Sequence, residues 1–403
     1  MLQNDGVLGR VEKRLSELDV PLAVTFWNGR RFAPSKPPQV SVTVRSPQVL
    51  VSLLRPTMGK LARHYVEQQL DVDGDTRDIL RMSEALSGAP DGAARPASRL
   101  RKLMRHTRVF DSKAIRYHYD VSDDFFSLWL DKRRVYSCAY FRRADDTLEL
   151  AQEQKLDHIC RKLMLRPGER FLDIGCGWGS LIMWAAERYK VRATGITLSE
   201  NQYAYAKKKI QEAGLSDLCD VQLRDYRDVP EDAPYDKIAS VGMFEHVGRR
   251  NLPVYFGKIY RLLRSGGLVL NHGITLNAVD RDELGGDIGS FIDEYVFPGG
   301  ELTHVSSVVA EMSEQGLESW DVESLRLHYA RTLWQWVDRL DTHREAALAS
   351  VGEKAYRIWR IYMAGSAHAF ERGWMSIYQV LAGKPLTNGR LGLPSTREYM
   401  YAG

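Results

Sequence analysis

Cysteine is scarce in this chain, and what there is does not pair. Cys138, Cys160, Cys176 and Cys219 show no Cys-x-x-Cys spacing, so neither a disulfide framework nor a zinc site is indicated and no metal is expected. A reducing cytoplasm is the expected setting. No stretch approaches the roughly 20 apolar residues that span a bilayer. The start, Met-Leu-Gln-Asn-Asp-Gly, lacks a basic-then-apolar signal pattern. Any membrane contact is therefore expected to be peripheral. Internal repeats and low-complexity segments are missing too. Charge is nearly balanced, +4 net with 27% charged residues, which permits attraction to an anionic surface; no nucleic-acid partner is expected. What remains is an ordinary globular balance, 44% hydrophobic over 403 residues, with length for two or three domains.

The chain is organised around residues 170–181, Arg-Phe-Leu-Asp-Ile-Gly-Cys-Gly-Trp-Gly-Ser-Leu. An apolar β-type run breaks into Gly175, Gly177 and Gly179, and a helical stretch follows from Ser180 to Tyr189. This is the strand–glycine loop–helix unit of a doubly wound α/β domain. The glycines let a ligand approach backbone N–H groups, and the helix start behind them favours a carboxylate or phosphate. Asp173, on the strand just ahead, argues against a phosphate at that floor. A ligand with both an ammonium and a carboxylate, such as the methionine end of S-adenosylmethionine, suits it better. A dinucleotide and a purely structural turn are the competing readings.

Regular alternation follows. Strand 192–198 leads to helix 200–213, strand 220–224 ends at Asp225-Tyr226, and strand 237–243 ends at Phe244-Glu245-His246. A helix near 254–263 precedes strand 268–272. Ligands on such sheets bind at the carboxyl ends of the strands. The glycine loop, Thr197–Ser199, Asp225-Tyr226, Glu245-His246 and His272–Ile274 are therefore expected to converge on one crevice. Asp225 suits an adenine contact. The second strand ends Gly-Ile-Thr-Leu-Ser with no acid, so Thr197 and Gln202 are left to supply ribose contacts.

Upstream, short strands around Asn28-Gly29 and at Val40–Val44 precede helical patterns at 47–54 and 59–70, a small α+β unit. Residues 88–98 read as a linker. Residues 99–116 are crowded with Arg and Lys between apolar residues at helical spacing. That pattern fits a basic amphipathic helix on an anionic membrane or, equally, a solvated charged helix. Residues 276–350 interrupt the alternation where a substrate cover would sit. Helix 353–372 and strand 375–381 close the chain.

Several motifs stand in a fixed order: Tyr-His-Tyr-Asp-Val-Ser-Asp-Asp-Phe-Phe, Tyr-Ser-Cys-Ala-Tyr-Phe, Asp-Ile-Gly-Cys-Gly-Trp-Gly, Gly-Ile-Thr-Leu-Ser-Glu-Asn-Gln, Met-Phe-Glu-His-Val-Gly and His-Gly-Ile. From about Tyr117 onward the chain resembles the cyclopropane-fatty-acyl-phospholipid synthases and the related mycolic acid cyclopropane synthases. Its first hundred residues resemble the N-terminal domain of the phospholipid-acting branch. The resemblance implies a Rossmann-like methyltransferase sheet over residues 117–403. A small α+β lipid-binding and dimerisation domain would occupy 1–87, with the linker and basic segment at 88–116.

The implied reaction transfers a methylene from S-adenosylmethionine to the cis double bond of an unsaturated acyl chain in membrane phospholipid. Methyl transfer leaves a carbocation, and loss of a proton to bound bicarbonate closes the ring. The resemblance assigns the bicarbonate to Cys138, Glu245, His272, the Ile274 backbone and Tyr329. It assigns the donor to Tyr136, Ser137, Gly175, Gly177, Thr197, Leu198, Gln202, Asp225 and Tyr226, to which the reading of the glycine loop adds Asp173 and Gly179. Tyr140, Tyr329 and Trp336 are expected to face the cation. It further implies a homodimer peripherally associated with the inner face of the membrane. A methyl-branched product, a headgroup N-methyltransferase and a lipid-binding protein with a vestigial donor site are the alternatives. Taken singly, Cys138 reads as a small buried residue, His272 as a core histidine and Tyr329 as a packing aromatic.

Overall fold

The computed structural model describes residues 2–18, 20–33, 36–88, 122–279, 284–298 and 300–401. Nearly all of the expected linker and basic segment at 88–116, and the motif at 117–121, lie outside the described residues. The chain divides into two compact units. The first comprises Met1–Ala97, Glu283–Pro298 and Leu340–His368; the second comprises Ser98–Asp282, Gly299–Arg339 and Ala369–Gly403. This division differs from the expected boundaries. The segment 276–350 is not one cover: parts of it pack within the first unit, and another part is a strand of the second.

The first unit carries a four-stranded sheet of β1 (Leu22–Thr25), β2 (Arg31–Phe32), β3 (Val40–Val44) and β4 (Leu70–Gly74), in the order β2-β1-β3-β4. The Asn28-Gly29 turn joins β1 and β2 as an antiparallel hairpin, as its residues predict. Residues 59–70, expected as helix throughout, instead form the helix Met58–Val66 and then enter β4. The helices Leu2–Leu18 and Thr76–Ser87, which gave no decisive sequence signal, complete the layer. Arg357 ties the later segment to this sheet, donating to the carbonyls of Tyr65 (2.9 Å) and Leu70 (3.2 Å) and to Asp71 (2.7 Å).

The second unit carries seven strands: β5 (Arg170–Ile174), β6 (Arg192–Thr197), β7 (Cys219–Leu223), β8 (Tyr235–Val241), β9 (Leu263–Leu276), β10 (Glu318–Ser324) and β11 (Met375–Gly383). Their order is β10-β11-β9-β8-β5-β6-β7. β5 to β9 are parallel, and β11 runs antiparallel between β9 and β10. This is the expected doubly wound, Rossmann-like sheet. Apolar clusters cover both faces. One is built on the helices Leu148–Lys162, Ser180–Tyr189 and Glu200–Glu212, the other on Leu252–Leu262 and Val305–Glu314. The strand order reverses between β5 and β8, so a crevice opens at their carboxyl ends.

Candidate active site

At that reversal lies a crevice enclosing ≈ 1130 Å³, open mouth included, ample for a nucleoside joined to an amino acid. Ten of the eleven residues expected at the donor site line it: Tyr136, Ser137, Asp173, Gly175, Gly177, Thr197, Leu198, Gln202, Asp225 and Tyr226. Gly179 does not. A Cβ there would stand 3.0 Å from the Ala206 Cβ, so this glycine serves close packing against the helix Glu200–Glu212. The N–H groups of Gly175 and Cys176 both donate to the Ile196 carbonyl (3.0 Å each), which fixes the loop to β6.

Asp173 is 2% exposed, and its Oδ1 has no hydrogen-bond partner. Burial pushes its pKa up to about 7 against the pull of Lys155. A buried, unpartnered carboxylate oxygen in a crevice is a place for a cationic group. Thr197 and Gln202 stand together at the end of β6, the Thr197 hydroxyl donating to Gln202 Oε1 (2.9 Å). Asp225 reaches the crevice with its carboxylate already engaged by the Arg227 guanidinium (2.8 and 2.6 Å).

The five residues expected at the reacting centre do not line this crevice, but successive bonds link the elements that carry them. Gly242 follows β8, and Glu245 comes next in a short 3₁₀ turn. Its Oε1 accepts the Ile274 N–H at 2.7 Å. Glu245 packs over Gly273, where a Cβ would fall 2.0 Å from the Phe244 ring and 3.0 Å from Glu245 Oε1. His272 sits one residue earlier on β9, and Gln379 on β11 lies opposite it, its Nε2 3.4 Å from His272 Nδ1. Ile274 pairs with Ile377. The Ile377 carbonyl takes the Leu325 N–H (2.9 Å), and the Leu325 carbonyl takes the Tyr329 N–H (3.0 Å). That carbonyl also faces the Cys138 thiol at 3.8 Å.

The electrostatics of this group are set by burial. Glu245 is raised to about 7, opposed only in part by the Ile274 N–H bond. His272 is held well below its ordinary value, so the imidazole is neutral near pH 7. Burial also raises the Cys138 thiol, which stays protonated. Glu245 Oε2 and His272 Nε2 are both buried without a partner. The Ile274 N–H, expected to meet an anion, is instead taken by Glu245.

The three aromatics expected to face the cation differ in their surroundings. Tyr329 packs edge-on against Trp336 with centroids 6.1 Å apart, and Trp336 lies 5.3 Å from the crevice residue Tyr136. Tyr140 differs. It is stacked on His158 (4.4 Å) and on His328 (4.8 Å), so both its faces are covered and neither is open to a cation.

Residues 106–380 match the family described as mycolic acid cyclopropane synthetase. The chain belongs to that family. It is 47% identical over 397 residues to a "Probable fatty acid methyltransferase" of Pseudomonas putida, covering 98% of this chain and 100% of that one. Cyclopropane mycolic acid synthase 1 of Mycobacterium tuberculosis is 37% identical over 273 residues, 66% of this chain and 94% of its own. Among solved structures, mycolic acid cyclopropane synthase CmaA1 complexed with SAH and CTAB superposes with a TM-score of 0.64 at 36% identity, covering 68% of this chain and 98% of that one. A family sheet thus carries the crevice, and the family's motifs supply its strand ends.

Sequence reasoning missed several crevice residues, chiefly Lys155, Arg134, Trp178 and Arg227. Lys155 is 2% exposed, in the middle of a helix whose composition reads as polar surface. Its three-residue offset from Gln152 was the one available signal.

Proposed function

We propose that this chain is an S-adenosylmethionine-dependent C-methyltransferase that converts the cis double bond of an unsaturated acyl chain in membrane phospholipid into a cyclopropane. The observation that carries the reading is the adjacency of two unlike sites. One is a strand-end crevice with an unpartnered buried carboxylate oxygen at Asp173. The other is a buried set, Glu245, His272, Cys138 and Tyr329, with Ser137 and His246, the chain neighbours of Cys138 and Glu245, lining that crevice. The relatives' names, a fatty acid methyltransferase and a mycolic acid cyclopropane synthase, and the SAH in the CmaA1 structure support it.

The residues present fit the donor. Asp173 Oδ1 takes an ammonium, the first turn of the helix Ser180–Tyr189 takes a carboxylate, and Thr197 with Gln202 meets ribose hydroxyls. When bound, the donor supplies an electrophilic sulfonium methyl. An isolated alkene is a poor nucleophile, so this chain's contribution is a dry slot and close approach. The faces of Tyr329 and Trp336 stabilise positive charge on the acyl chain. The Cys138 thiol, protonated and turned toward backbone carbonyls, does not trap that charge as a thiolate would.

A bicarbonate fits two of its five expected holders. Neutral His272 offers an Nε2 donor when its other nitrogen is the acceptor, and Glu245 Oε2 accepts or returns a proton near neutral pH. Such an ion supplies a base that does not itself capture the carbocation. Contact with an anionic bilayer through 99–116 and pairing of two copies through the N-terminal region belong to the same reading.

The full-length match to a fatty acid methyltransferase favours a second reading, transfer without ring closure. One experiment separates the outcomes. The purified protein is incubated with donor carrying a CD3 methyl and with cis-unsaturated phospholipid vesicles, and the lipids are analysed by mass spectrometry. A ring retains two deuterons and resists mild hydrogenation. With no reductant present, transfer without ring closure leaves a methylated alkene, which keeps three deuterons if the chain loses the proton and two if the methyl does, and which mild hydrogenation saturates. Label in the headgroup, or none, overturns both.

A further inference from the structure

The loop that carries Tyr136, Ser137 and Cys138 is pinned from below by buried polar groups. On the helix Leu148–Lys162, Gln152 and Lys155 stand three residues apart on one face, 0% and 2% exposed. Gln152 Nε2 donates to the carbonyls of Val135 (3.2 Å) and Ser137 (2.9 Å). Lys155 Nζ donates to Ser137 Oγ at 2.9 Å. Asp131, 3% exposed, accepts the N–H groups of Val135 (2.8 Å) and Arg133 (2.9 Å). Lys155, Ser137 and Asp173 all line the donor crevice.

An ammonium in a crevice meant for a cationic ligand is at first sight misplaced. The charges around it resolve this. Lys155 acts on two buried carboxylates, Asp131 and Asp173, and of the two only Asp173 lines the crevice, where its Oδ1 has no hydrogen-bond partner. Without the lysine, Asp173 would be a carboxylate in a desolvated site with no countercharge, and it would take up a proton more readily.

Resting on the donor reading above, we propose that Lys155 is a positioning residue of the donor site. Its bond to Ser137 Oγ turns that hydroxyl into a donor aimed at the crevice, and its charge keeps Asp173 a carboxylate able to receive the donor's ammonium. The titration directions agree with this geometry. Burial pushes Asp173 up to about 7 and Lys155 down to about 8, and each draws the other back. Lys155 is faced by Asp131, Cys138 and Cys160 besides Asp173, and His272 feels its charge. Cys160, Cys176 and Tyr255 face Asp173.

The test measures the affinity of S-adenosylhomocysteine by calorimetry from pH 6 to 9 for the wild type, Lys155→Met and Ser137→Ala. Lys155→Met is expected to bind about 5-fold more weakly at pH 7 through Asp173 alone and to narrow that gap by pH 9, because a one-unit rise from about 7 cuts the ionised fraction at pH 7 from about a half to about a tenth; the lost bond to Ser137 adds a part that does not vary with pH. Ser137→Ala is expected to lose affinity equally at every pH. A wild type that does not bind the probe overturns the donor reading itself. A Lys155→Met protein with the wild-type pH profile overturns only the role of Lys155. Should that variant fail to fold by circular dichroism, a carbon-13 titration of labelled lysine in the wild type decides. A charged Lys155 at pH 7 supports the proposal, and a neutral one overturns it.

Discussion

Replacing Glu245 by Gln should make the protein more stable at pH 8 and less active. The carboxyl titrates at about 7 in the folded chain against 4.5 in an unfolded one. The folded state therefore binds a proton that the unfolded state has released between those values, and stability falls as pH rises through that window. Above it the wild type carries the whole penalty, ~3 kcal/mol for a shift of about 2.5 units. At pH 5 the penalty shrinks to under ~1 kcal/mol. A glutamine has no such proton, and its Oε1 still accepts the Ile274 N–H that Glu245 holds at 2.7 Å. Urea unfolding at both pH values reads the difference. With a slope of about 3 kcal/mol per molar, the Gln variant should gain roughly 1 M in midpoint at pH 8 and a third of that or less at pH 5. In parallel, turnover should fall while S-adenosylhomocysteine affinity holds, because the proposed function puts Glu245 at the reacting centre and it does not line the donor crevice. Equal gains at both pH values would refute the buried-acid reasoning. Equal losses in turnover and affinity would refute the placement.

Cys138→Ser should likewise lower turnover well before donor affinity, measured by steady-state kinetics and calorimetry on the same preparation. Gly273→Ala forces a Cβ to within 2.0 Å of the Phe244 ring, so the Glu245 turn must move; a turnover loss of tenfold or more with retained S-adenosylhomocysteine binding is expected. Lys162→Met removes one partner each of Asp321 (3.1 Å) and Glu323 (2.6 Å) from a site where the lysine is 0% exposed, while Arg397 and His158 stay paired with them, and urea unfolding should show a loss of ~2 kcal/mol. Charge reversals within 99–116 should weaken sedimentation with anionic vesicles more at low salt than at high salt.

The parallel part of the sheet was legible because each strand is a short apolar run closed by glycine or a polar strand end, and helices of ordinary length separate them. β10 was not. Its sequence Glu-Ser-Trp-Asp-Val-Glu-Ser alternates with mostly polar residues, and it lies at the sheet's edge beside β11, whose partner residues come some 60 positions later. β4 was hidden the same way. Leu-Asp-Val-Asp-Gly looks like a loop until Arg357, 286 residues on, supplies the countercharge for Asp71.

The site divides along the same line. Strand-end residues such as Asp173, Glu245 and His272 are marked by their own neighbours in sequence, so motif and position agree. Tyr140 and Lys155 are decided by residues far away. A tyrosine in Ser-Cys-Ala-Tyr-Phe has two aromatic faces to offer, yet His158 and His328 fill both. A lysine in a polar helix has no local mark of burial, yet Ser137, Asp131 and Asp173 converge on it from other elements. Sequence reasoning therefore identifies the groups that a fold presents at strand ends. It does not identify the helix side chains that hold those groups in their working charge state, because that state is a property of the surroundings.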